Sequence, residues 1–200
     1  MKIEIRSDGL HISGYVNVTG KLSKPLYTPS GKRVVETIEE RTFSKAISKG
    51  GNITMQLDHR PDRILADITG GNLQLREDSI GLHADALVTD PETIQGARDG
   101  KLKGWSFGMK NVVDSIEDRA NDLPLRKVRE IDLDHVALIM NKSPAYAATS
   151  VEVRAEDDEQ TLEMRSSDEE IEITKEEPKK EPIDYSSYEN RLHELTLNNL

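Results

Sequence analysis

Apolar and polar residues alternate through positions 2–6 and again through 10–18, with Asp8 and Gly9 between the two runs. Period-two alternation on both sides of an Asp-Gly pair predicts a β-hairpin at the start of the chain. Gly20, Pro25, Pro29 and Gly31 mark residues 19–33 as a loop. Phe43, Ala46 and Ile47 then recur at helical spacing and Gly50-Gly51 ends the pattern, which predicts a short helix over 41–49. Strand-like runs return at 52–59, 63–69, 72–76 and 82–88, broken by Arg60-Pro61-Asp62 and by Glu77-Asp78. Asp90 and Pro91 supply an N-cap and a first-position proline for a helix of about ten residues closed by Gly100. Residues 104–110, 125–132 and 133–140 extend the strand pattern, and Val136 to Met140 are apolar on both faces, as in an interior strand. A short segment from Thr149 to Val153 comes last. Seven or eight strands against two helices predict a mainly β fold: a closed, mainly antiparallel β-barrel with flanking helices.

Within 104–110, Trp105, Phe107 and Met109 share one face, and Ser106, Gly108 and Lys110 share the other. This places Ser106 on the open face, and Gly104 and Gly108 leave the approach to its hydroxyl free of side chains. Such a serine is either a displayed nucleophile or a polar residue on the solvent face of an edge strand.

Composition divides the chain. Residues 1–154 carry 22 acidic and 22 basic side chains and residues 155–200 carry 15 and 5, so the formal net charge of −10 lies entirely in the C-terminal part. The expectation is a folded domain over 1–154 and an acidic, mobile tail over 155–200. Tyr185, Tyr188, Leu192 and Leu195 form one apolar stripe on a helix near 185–197, either a fraying terminus or a segment that orders on a partner. A charge-balanced body has no basic excess with which to hold phosphates, which argues against a direct nucleic-acid partner. No apolar run approaches the ~20 residues of a membrane helix, and the N-terminus alternates unlike a signal peptide. The absence of cysteine excludes disulfides, thiolate metal sites and a cysteine nucleophile. These features together predict a soluble protein of a reducing, cytosolic compartment.

His11 and His83 fall among polar neighbours and His193 lies in the tail, so these three read as structural or solvated. His59 ends an apolar strand face and His135 lies in an almost wholly apolar strand, where an unpaired imidazole is costly. Each either bonds a backbone carbonyl separately, or the two bond to each other and to Ser106. In the second arrangement neutral His59 takes the proton of Ser106 Oγ and returns it to the leaving amine, while His135 orients His59. A neutral third member stabilises the imidazolium less than a carboxylate does, so the relay predicts a slow enzyme. Asp58 faces away from His59, and Asp132 and Asp134 lie opposite His135, so no carboxylate joins the relay unless a strand is bulged. A metal site made from His59, His135 and an acid lacks His-x-x-x-His spacing, and neither metal nor cofactor is expected. Candidate oxyanion donors are the backbone amides of residues 141–143 and the side chains of Arg126 and Arg129.

Five segments have a familiar order: residues 12–15 (ISGY), 41–47 (RTFSKAI), 57–59 (LDH), 101–109 (KLKGWSFGM), and 133–139 (LDHVALI) followed by 143–146 (SPAY). In these the chain resembles the prohead maturation proteases of tailed bacteriophages, which share the fold of the herpesvirus capsid-assembly protease. The resemblance implies a serine endopeptidase inside the immature capsid, in the host cytoplasm. Its substrates would be scaffold segments, the N-terminal region of the major capsid protein, and itself. It also implies Ser106 as nucleophile and His59 as base. Phage members commonly carry glutamate where this chain has His135, and histidine there gives the Ser-His-His set of the herpesvirus branch. A homodimer, or high local concentration inside the shell, would supply a switch. A second reading keeps the fold without catalysis, as a scaffolding module that binds shell protein through residues 185–200.

Overall fold

The alternation of residues 2–18 closes into the expected hairpin. In this computed structural model, which describes residues 1–141, 151–152, 162–166 and 171–175, β1 (Lys2–Arg6) pairs antiparallel with β2 (Gly9–Val18). Ile3 lies opposite Ile12 and Ile5 opposite Leu10, and all four side chains are buried. β2 continues onto β8 (Gly81–Val88), which pairs with β7 (Leu73–Glu77). β13 (Glu172–Lys175) runs parallel to β1 and completes a five-stranded sheet.

A second sheet is assembled on a long antiparallel hairpin of β9 (Gly104–Glu117) and β10 (Leu125–Ile139). Only the inner part of the hairpin is apolar: Trp105, Phe107, Met109, Val136 and Leu138 are fully buried, whereas residues 110–117 are partly or wholly exposed. The far edge of β10 takes β4 (Arg33–Ile38) at one end and β5 (Thr54–Leu57) at the other, both parallel. β3 (Leu26–Tyr27) flanks β4, and β6 (Ile64–Asp67) flanks β5. On its other side β9 takes β12 (Leu162–Ser166), which in turn pairs with β11 (Val151–Glu152). The apolar faces of both sheets meet in one core. There Phe43 of α1 (Thr42–Ser48) sets its ring edge-on to Phe107, with centroids 5.3 Å apart. Burying each such side chain contributes roughly 1.5–3 kcal/mol. α2 (Pro91–Arg98) is capped as expected, Asp90 accepting from Thr93 N at 2.8 Å and Thr93 Oγ1 at 2.7 Å.

The mainly β class holds, with thirteen strands and two helices among the described residues, more strands than the pattern predicts. β4 is unforeseen, because residues 34–38 interrupt an apolar run with a buried glutamate, Glu36. β12 and β13 come from the stretch whose acidity predicts a mobile tail. Glu163 and Arg165 are nevertheless buried, since each meets a charged partner in the body and their charges do not keep the strand in water. Residues 142–150, the acidic runs at 156–159 and 168–170, the predicted helix near 185–197 and His193 lie outside the described residues. No helix among the described residues is long and apolar enough to cross a membrane.

Candidate active site

Ser106 does not lie on an open face. It pairs with Ala137 of β10 on one side and Ser166 of β12 on the other, and it is completely buried. The alternation of β9 is as read, but β12 covers the edge that composition leaves open.

His59 reaches Ser106 because β5 stops early. After Leu57 the chain turns back, with Asp58 and His59 both in left-handed backbone, φ 53° and 60°. For non-glycine residues this costs on the order of 1–3 kcal/mol each, and it persists only where the surroundings hold it. Here Asp58 N donates to Leu138 O at 2.9 Å, and the Asp58 carboxylate accepts from Met140 N at 2.7 Å and from Asn141 N and Nδ2 at 3.1 and 3.0 Å. The turn is thereby fastened to the end of β10. His59 Nε2 comes to 2.7 Å from Ser106 Oγ, and its Nδ1 lies 2.6 Å from His135 Nε2.

His135 owes its position to a bulge. Leu133 lies opposite Met109 and His135 opposite Gly108, so Asp134 is an extra residue on β10. Strict alternation would turn Asp134 away from His135. The bulge brings its Oδ2 to 2.7 Å from His135 Nδ1, while Oδ1 pairs with Lys110 Nζ at 2.8 Å. The line of hydrogen bonds therefore has a fourth member that regular pleating hides. With Asp134 ionised, His135 carries its proton on Nδ1 and accepts on Nε2 from His59 Nδ1–H. That leaves His59 Nε2 as an acceptor facing the serine.

The hydrogen bond from His135, opposed in part by burial and helped by the bond from Lys110, holds the Asp134 carboxyl down at about 2. Because the folded group titrates below its ordinary value of 3.8, its stabilisation is complete above that pH and is lost as pH falls towards 2. Asp134→Asn is therefore expected to flatten the fall in unfolding free energy between about pH 4 and 2, read from urea titrations at stepped pH.

The ring of His135 lies over Gly108. A Cβ on residue 108 would stand 2.5 Å from His135 Cε1 and 2.9 Å from Nδ1. Gly108→Ala must push the imidazole off His59, and a displacement of this kind is expected to lower turnover on the order of 100-fold. A rate within threefold of wild type would show that the ring is free to shift without consequence.

Beyond Ser106, charge is concentrated in a buried cluster. Arg126 Nη1 and Nη2 hold Glu163 at 2.5 and 2.9 Å, Nη1 also meets Glu36 at 2.9 Å, and Nε bonds Asp114. Arg165 Nε and Nη2 hold Glu36 at 2.6 and 2.8 Å. Arg126 is thus committed to carboxylates and not to an oxyanion. Arg129 Nη2 reaches Asp114 O at 3.4 Å, the Asn141 amide serves Asp58, and residues 142–143 lie outside the described residues. His11 of β2 bonds Asp8 of the preceding turn at 2.9 Å, as a structural role requires. His83 is buried rather than solvated, edge-on to Tyr15 with centroids 4.8 Å apart.

A buried serine whose hydroxyl meets an imidazole, backed by a second imidazole and a carboxylate on a mainly β scaffold, has the arrangement of a serine hydrolase. Comparison with protein families narrows the class. The family described as Caudovirus prohead serine protease matches residues 1–164, and the chain belongs to it, among the hydrolases of bacteriophage capsid maturation. No curated protein and no solved structure matches the chain.

Proposed function

We propose that the protein is the endopeptidase of capsid maturation that works through Ser106 as nucleophile, His59 as base and His135 as the residue that orients it, with Asp134 behind. The observation that carries this is the unbroken line of hydrogen bonds from Ser106 Oγ through both imidazoles to the Asp134 carboxylate, in a chain of a serine-protease family. On attack at a peptide carbonyl, Oγ passes its proton to His59 Nε2, and the positive charge is spread towards Asp134 through His135. His59 then protonates the leaving amine, and water hydrolyses the ester by the same relay. Asp134 supplies the negative charge that a bare histidine lacks, so the chemistry need not be slow.

The substrates under this reading are segments of the major capsid protein and scaffold, and the chain itself, inside the prohead in the host cytoplasm. The protease domain spans residues 1–154, and the acidic part over 155–200 is an appendage from which β12 and β13 fold back. Under this reading the two sheets around one core are the counterpart of the closed herpesvirus-protease barrel, and a homodimer is the expected assembly.

The test is co-production with the cognate shell protein, followed by intact mass measurement of both chains. The expected result is a shortened shell protein with the wild-type chain and a full-length one with Ser106→Ala. Full-length shell protein in closed particles made with the wild-type chain would overturn the assignment.

A further inference from the structure

The relay does not account for what lies on top of it. β12 is laid antiparallel along β9, Ser166 opposite Ser106 and Arg165 opposite Phe107, and Ser106 Oγ lies 2.7 Å from the main-chain carbonyl oxygen of Arg165 and 2.7 Å from His59 Nε2, two acceptors for its single proton. A strand added to a sheet edge, with one carbonyl at a serine hydroxyl, is how an extended peptide presents a bond for cleavage. In such a complex main-chain bonds give affinity and alternate side chains give selectivity. The alternate side chains here are Glu163 and Arg165, each gripped in two-pronged fashion by a body residue, Glu163 by Arg126 and Arg165 by Glu36. Glu36 and Arg126 also bond each other at 2.9 Å. When the strand leaves, the body therefore keeps an ion pair and not a lone buried charge, the condition under which a charged occupant can come and go.

We infer that Glu36 and Arg126 form a selectivity subsite that reads a Glu-x-Arg segment, that Leu162–Ser166 is its built-in occupant, and that the self-cleavage bond is Arg165–Ser166. This rests on the assignment of Ser106 and His59 above. Oγ adds to the Arg165 carbonyl carbon as its proton goes to His59 Nε2. The bond to Ser166 N breaks as that proton is returned to the nitrogen, leaving a free amine on Ser166 and an Arg165 ester on Ser106. Water then gives one proton to His59 and its hydroxyl to the carbonyl carbon, and the ester oxygen leaves and recovers the proton. One water is consumed, and one carboxylic acid and one amine are formed. All residues matched by the family lie on the N-terminal side of this cut.

The experiment follows the full-length chain by intact mass and N-terminal sequencing, alone and with the shell protein. The expected result is a fragment beginning at Ser166, absent with Ser106→Ala, retained with Arg165→Lys and slowed at least about 100-fold with Arg165→Glu. Because Arg165→Glu also disturbs a buried cluster, the self-processed wild-type enzyme is then offered two peptides, Leu-Glu-Met-Arg-Ser and its charge-reversed form Leu-Lys-Met-Glu-Ser. The first should be cut at least about 100-fold faster. Shell protein shortened while the Arg165–Ser166 bond stays intact, or equal rates on the two peptides, would overturn the subsite and leave the protease standing. No Ser106-dependent cut in either chain would overturn both.

Discussion

His59→Ala is expected to reduce shell-protein processing by at least on the order of 1000-fold, with the fold intact. The serine hydroxyl is a weak nucleophile at neutral pH, and His59 Nε2 is the nitrogen 2.7 Å from it, so its loss leaves the proton without a destination. Ser106→Ala should cost about as much, and the double variant hardly more, because the two act as one unit. His135→Ala should cost less, since it acts only through the orientation and charge of His59. The measurement is the rate of shell-protein shortening under single-turnover conditions, with circular dichroism to confirm folding. A His59→Ala rate within tenfold of wild type would remove His59 from the chemistry.

Arg126→Ala is expected to lower the unfolding free energy by about 3–5 kcal/mol, the usual effect of removing one partner from a buried ion cluster. Burial by itself would pull the guanidinium down, but the bonds and charges of Glu163 and Glu36 prevail and push it well above the ordinary arginine value. Without it Glu36 and Glu163 share Arg165 alone, and Asp114 loses the bond from Arg126 Nε. Arg165→Ala should cost less, because Arg126 still holds both glutamates. Urea titrations made in the Ser106→Ala background, so that self-cleavage does not intrude, give the comparison. Equal losses for the two variants would show that the cluster has no dominant member.

What is legible in the sequence depends on whether local periodicity carries the information. The first hairpin, both helices and the apolar face of β9 follow from spacing alone; that His59 and His135 need partners also follows from their apolar settings, but spacing does not choose between separate carbonyls and the shared line through Ser106 that the structure has. Strict alternation turns Asp134 away from His135, and a single extra residue on β10 defeats it. Glu36 gave no signal at all: its partners lie 90 and 129 positions away, and a glutamate in a short apolar run does not announce that it is buried. β12 is hidden in the same way, since a charge count registers Glu163 and Arg165 as solvated unless their partners are already known.

The left-handed backbone at His59 has a further implication for laboratory evolution. Glycine or asparagine tolerates that conformation better than histidine does, so a screen rewarding heat resistance alone would accept either at this position. The resulting lineage would look improved in every melting curve while its capacity to cut had disappeared. Any thermal selection on this scaffold therefore has to be coupled to a functional readout from its first round.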